Sequence, residues 1–132
     1  MRHIIIIITT LIALNAGASN LLQQADSAYI EDRYANAIEL YEQVIAEEGT
    51  STDIYYNLGN LYCLSAEHIS SIENYTKAID LYPYMGDAYF NRGLVLIYLK
   101  DKEKGCIDLS RAGELGVQDA YGVIKKYCED EK

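Results

Sequence analysis

The residues of this chain that could do acid–base chemistry or hold a metal are few and poorly spaced for it. Its two histidines are His3, near the start of the chain, and His68, in a predicted turn. Neither has an acid and a nucleophile beside it in a recognisable arrangement, and general acid–base catalysis needs such partners within hydrogen-bond reach. Cys63, Cys106 and Cys128 lack the close paired spacing of zinc ligands. Gly105, Gly113 and Gly116 build no phosphate loop and read as helix-packing or turn glycines. Asn74-Tyr75-Thr76 matches a glycosylation sequon but falls inside a helical pattern, where three residues carry little weight. The sequence therefore predicts no enzyme, no metal site and no cofactor. What remains is recognition chemistry: aromatics and side-chain amides such as Tyr56, Asn57, Asn60, Phe90 and Asn91 at regular intervals. Amides can hold a partner's backbone while aromatics grip its side chains.

Those side chains are carried on a repeating helical pattern. With Thr52 as the first position of a unit of about 34 residues, large residues recur one helical turn apart at Tyr55, Leu58, Tyr62 and Tyr75. Small residues, Gly59, Ser71 and Ala78, fall where two helices must cross, and Pro83 closes the unit because its ring cannot continue a helix. The same register moved back gives Leu21, Ala25, Ala28, Ala37, Tyr41 and Val44. Moved forward, it gives Tyr89, Gly93, Leu96, Gly105, Leu109 and Ala112, with Arg92 in place of a leucine and Val117 in place of the proline.

This pattern resembles the tetratricopeptide repeat. The resemblance implies an all-α chain: a right-handed superhelical solenoid of three helix–turn–helix repeats followed by a capping helix. The expected division is 1–18 for a leader, 19–51, 52–85 and 86–117 for the repeats, and 118–132 for the cap and an acidic tail. Helices are expected near 21–31, 34–47, 53–65, 69–82 and 120–129, with hydroxyls of Thr50-Ser51-Thr52 available to cap the third.

In the register of that family, the first helix of each repeat lines a concave groove. Those positions carry Leu22, Gln23, Asp26 and Tyr29, then Tyr56, Asn57, Asn60 and Cys63, then Phe90, Asn91, Leu94 and Ile97. Asn57 and Asn91 occupy the same position of successive repeats and are expected side by side. A plainer role for Tyr56 and Phe90 is to fill the seam between neighbouring helices. Family members that clamp the carboxylate tail of chaperones need basic residues where Leu22, Asp87 and Asn91 stand, and asparagine where Asp26 stands. Only Asn57 fits that clamp, so chaperone-tail binding is not expected.

Net charge and leader bear on setting. A formal charge of −9 and a pI near 4.6 argue against nucleic acid, whose phosphates require a basic face. Thirteen tyrosines against one phenylalanine and no tryptophan suit seams that need an aromatic body and a wet polar tip. Met1-Arg2-His3, the apolar run Ile4–Leu14 and the small residues Ala16-Gly17-Ala18 follow the order of a secretory signal peptide, with Ser19 as the mature start. An uncleaved anchor is the alternative. The expected location is periplasmic or extracellular, with membrane association only through partners or an uncleaved leader.

A narrower resemblance covers about 21–64. Leu21-Leu22-Gln23-Gln24-Ala25-Asp26-Ser27-Ala28-Tyr29, Ala37-Ile38-Glu39-Leu40-Tyr41-Glu42 and Tyr55-Tyr56-Asn57-Leu58-Gly59-Asn60 are similar to the repeat subunit of bacterial Bat aerotolerance operons. That resemblance implies an exported, membrane-associated protein working with von Willebrand A-domain partners. The functional expectation is a non-enzymatic protein-binding scaffold or assembly factor of the cell envelope. The alternatives are an array packing through its convex face, or an inactive accessory subunit of an envelope enzyme or aerotolerance complex. In an oxidising compartment Cys106 and Cys128 would pair if the cap runs antiparallel to the last repeat's second helix; otherwise all three thiols stay free as small core residues.

Overall fold

The structure, a computed structural model, describes residues 20–129. The leader lies outside the described residues, as does most of the acidic tail. The described chain is all α, with seven helices and no strand, and it divides into two compact units at Thr50–Ser51.

The first unit is a helical hairpin of α1 (20–30) and α2 (Tyr34–Glu48). It buries Ala25 and Ala28 on α1 and Ala37, Tyr41 and Val44 on α2. Gly49, at φ 96°, ends α2 with its N–H on the Ile45 carbonyl, in the left-handed region that glycine enters without a Cβ penalty.

The second unit contains α3 (Thr52–Leu64), α4 (His68–Leu81), α5 (Gly86–Tyr98), α6 (Lys102–Glu114) and α7 (Asp119–Tyr127), each packed on the next. Its first two hairpins close in the same way as the hairpin of the first unit. Asp32, Ala66 and Lys100 each adopt positive φ, 57°, 61° and 70°. The following N–H then reaches back five residues: Arg33 to Ala28, Glu67 to Tyr62 and Asp101 to Leu96, all at 2.8–2.9 Å. The 34-residue period read from side chains is therefore also present in the backbone.

Small residues decide how closely the helices cross. A Cβ built on Gly59 would lie 2.5 Å from the Tyr75 ring, and one on Gly105 would lie 2.9 Å from the Gly93 carbonyl oxygen. Ser71 meets the same need on α4, donating to the Gly59 carbonyl at 2.7 Å, so its hydroxyl is buried but satisfied. Tyr75, Ile79, Ala88 and Val95 form the buried cluster between α4 and α5, with Tyr56 and Cys63 packed against it.

Several local expectations are corrected. Ser51 has the extended backbone of an N-cap, but no side-chain hydrogen bond caps α3. Asp53 in the first turn instead places negative charge at the positive helix end. The one side-chain cap among α2–α7 is Asp101, accepting from the Lys104 N–H. His68 opens α4 rather than lying in the turn; its ring packs 4.8 Å from that of Tyr98, and its buried Nδ1 has no hydrogen-bond partner. The last helix is shorter than expected, and only part of its apolar face is covered. Ala120 is fully buried, whereas Tyr121 lies across Gly113 and remains 55% exposed.

A disulfide joins Cys106 on α6 to Cys128 at the end of α7, with Cα atoms 5.8 Å apart. It ties α7 to α6 across a sequence separation of 22, and closing a loop of that size contributes about 3 kcal/mol in the chain-entropy model.

Candidate functional site

The candidate site is the face shared by α3 and α5, where the structure brings together Tyr56, Asn60 and Asn91. Asn91 Nδ2 donates to Tyr56 Oη and to Asn60 Oδ1, at 3.1 Å each. Tyr75, rising from α4 beneath them, donates its hydroxyl to the same Asn60 oxygen at 2.5 Å. Its ring centroid is 6.0 Å from that of Tyr56. Asn91 is thus linked to Tyr56 and Asn60; Asn57 is half-buried.

This network has a counterpart in the first unit. There the Tyr41 hydroxyl donates to Asp26 at 2.5 Å, across the same separation of 15 residues as Tyr75 and Asn60. Where the next repeat would place this pair, both members are apolar: Leu94, and fully buried Leu109. Tyrosine and acceptor are present together or absent together, as expected when a buried hydroxyl must find a partner. Burial raises the Tyr75 hydroxyl pKa well above the usual tyrosine range. Burial likewise raises that of the Cys63 thiol, which disfavours its nucleophilic thiolate form.

The remaining predicted groove residues sit in different settings. In the first unit Leu22 and Tyr29 are half-buried and Asp26 is exposed at its surface. On α5, Phe90 and Asn91 are half-buried and Leu94 is 37% exposed. Ile97 packs against α6: a Cβ on Gly105 would lie 2.6 Å from its Cγ1. It therefore fills the seam of its own hairpin.

A second constellation lies between α4, α5 and α6. Arg92 Nε and Nη2 donate to the two Asp108 carboxylate oxygens at 2.7 and 2.8 Å, and Nη1 donates to Thr76 Oγ1 at 3.0 Å. The hydrogen bond to Asp108 raises the Arg92 pKa further. The pair floors an open cleft of about 380 Å³ walled by Ile72, Thr76, Leu96 and Ile107. Among the described residues no cluster of three or more His, Cys, Asp or Glu could hold a metal, and no helix is long and apolar enough to cross a membrane.

Paired antiparallel helices with glycine or serine at their crossings and left-handed turns at a fixed period define an all-α helical-repeat protein. The family model "Tetratricopeptide repeat" matches residues 52–84. Solved structures agree. The crystal structure of MamA is 23% identical with a TM-score of 0.80, covering 90% of this chain and 71% of that one. The second TPR domain of human RPAP3, in complex with the HSP70 peptide SGPTIEEVD, is 21% identical with a TM-score of 0.77, covering 89% and 99%. Among curated proteins, the Protein SGT1 homolog of Oryza sativa subsp. japonica is 29% identical over 117 residues, 87% of this chain. The match spans only 32% of that relative's length. Residues 52–84 form a tetratricopeptide repeat and the chain shares the fold of solved tetratricopeptide-repeat domains; such repeats are in general non-catalytic interaction modules.

Proposed function

We propose that this protein binds a polypeptide segment on the α3–α5 face as a scaffold or assembly factor outside the cytoplasm. The observation that carries the reading is the Tyr75–Asn60–Asn91–Tyr56 network. It holds two amides and an aromatic ring in fixed orientation on a half-exposed surface, and pre-organised groups lose little freedom when a partner arrives. The RPAP3 domain of the same fold is solved with a bound peptide, which supports peptide binding here. An acidic peptide such as the one bound there is disfavoured by Asp53 and Asp87, exposed in the first turns of α3 and α5.

The test is quantitative co-purification from the native host with the whole chain and with a Tyr56→Ala, Phe90→Ala variant. Interface energy concentrates in buried aromatic anchors, so the variant should lose at least about thirtyfold in affinity. An Ile107→Lys variant, altered on the cleft between α4 and α6, should keep the partner. Retention by the first variant and loss by the second would favour assembly through that other face.

The export part of the proposal rests on the order of the leader, and it would place the cysteines where disulfides persist. One intact-mass measurement on protein from the native host reads both. The expected mass begins at Ser19 and is two hydrogens below that of the fully reduced chain. A chain retaining Met1, or one with three free thiols, would refute the corresponding part.

A further inference from the structure

We infer that the segment bound on the α3–α5 face is basic and apolar: lysine or arginine toward one edge, aliphatic or aromatic side chains toward the other. This rests on the groove reading above and adds the chemistry of its occupant.

The sidedness follows from the helices themselves. α3 and α5 are the first members of successive antiparallel hairpins and so point the same way. Asp53 and Asp87 lie in their first turns, exposed, and neither has an ion-pair partner among the described residues. Each lies three residues before a groove aromatic, Tyr56 or Phe90, and so shares its helix face. At the far ends of the same helices, Leu64 is 56% and Tyr98 67% exposed. Eleven residues of helix separate the acidic edge from the apolar one, about 16 Å.

Cations are missing from this face. No Lys or Arg occupies any of the groove positions of α3 or α5, from Asp53 to Leu64 or from Asp87 to Tyr98. Four cations of this unit are engaged elsewhere. Arg92 is held by Asp108, Lys104 by Asp101 and Arg111 by Glu114, while Lys77 lies over the Tyr55 ring. The charges on offer are negative, while the neutral groups offer both an acceptor, Asn91 Oδ1, and donors, the Asn60 amide N–H groups and the Tyr56 hydroxyl. Asn91 gives its N–H groups to Tyr56 and Asn60, which leaves its carbonyl oxygen without a hydrogen-bond partner among the described residues. Two carboxylates beside apolar side chains, with no cation among the groove positions, select positive charge, since complementary potentials fix both partner and orientation.

A random dodecapeptide phage library panned on the whole chain tests this, with counter-selection on the Tyr56→Ala, Phe90→Ala variant to keep only groove-dependent clones. Enriched clones should carry net positive charge together with apolar residues. Their affinity should fall about fivefold in an Asp53→Asn, Asp87→Asn variant, and should also fall when salt is raised from about 50 to about 500 mM. A Leu64→Ala, Tyr98→Ala variant should weaken them at both salt concentrations. Thermal melts of each variant show that the fold is intact. Groove-dependent clones that are neutral or acidic, or that bind the asparagine variant equally well, overturn the inference and leave the groove reading standing. An absence of groove-dependent clones overturns both.

Discussion

Asp108→Ala is expected to destabilise the second unit by about 3 kcal/mol, a fall in melting temperature of more than about 10 °C. The Asp108 side chain is 7% exposed and that of Arg92 is 19% exposed. Removing the carboxylate leaves the guanidinium with Thr76, the Tyr89 ring 5.7 Å away and a narrow edge of solvent in place of two charge-assisted bonds. The loss sits at the low end for a broken buried pair because that edge of Arg92 can rehydrate. The pair itself is expected to add little net stability, since burying both charges costs about as much as their attraction returns. The double variant Arg92→Leu, Asp108→Leu should therefore lie within about 1 kcal/mol of the parent. The preceding repeat supports this, because leucine already occupies the position equivalent to Arg92: Leu58 is 2% exposed in its core. Urea unfolding of the two single variants and the double variant closes the cycle. A double variant as unstable as Asp108→Ala would mean that the pair is intrinsically stabilising.

What the sequence made legible is what depends on period alone. Gly59, Ser71, Gly93 and Gly105 were readable as crossing residues because steric limits act on side-chain size at a fixed register, and the structure places each at a close approach. The polar links were harder. Arg92 stands out in the sequence as a misfit at a leucine position, but its partner lies 16 residues away across a turn. Nothing in helical periodicity names Asp108 as that partner. Tyr75 reads as core bulk, and only the choice of tyrosine over phenylalanine hints that a hydroxyl needs an acceptor. The signal that would have found it is the joint change between repeats: tyrosine with Asp26 or Asn60, leucine with Leu94. The expected hydroxyl cap at Ser51 failed for a different reason. A capping residue type permits a hydrogen bond, but the first-turn N–H groups can also be satisfied by water, with Asp53 supplying the favourable charge.

Tyr75 is where the fold and the candidate site meet, and two substitutions separate its roles. Tyr75→Ala should cost about 3–5 kcal/mol, because it empties a fully enclosed aromatic volume. The ring is 1% exposed, lies directly over Gly59 and packs beside Tyr56. No neighbouring side chain can collapse into that space without moving the α3–α4 crossing. Tyr75→Phe keeps the ring and removes only the donor to Asn60, so its cost should be about 1 kcal/mol, the loss of one hydrogen bond at an acceptor that retains Asn91. The smaller change should have the larger effect on the site relative to stability. Without the Tyr75 hydroxyl, the Asn60 amide is held from one side only, and Asn91 and Tyr56 lose the anchor of their shared network. Hydrogen exchange at α3 and α5, measured with groove-dependent peptide affinity, distinguishes the outcomes. Tyr75→Phe is expected to fold with near-parental exchange in α4 and to bind such peptides several-fold more weakly. Unchanged affinity in the phenylalanine variant would show that the network supports the fold without orienting the site.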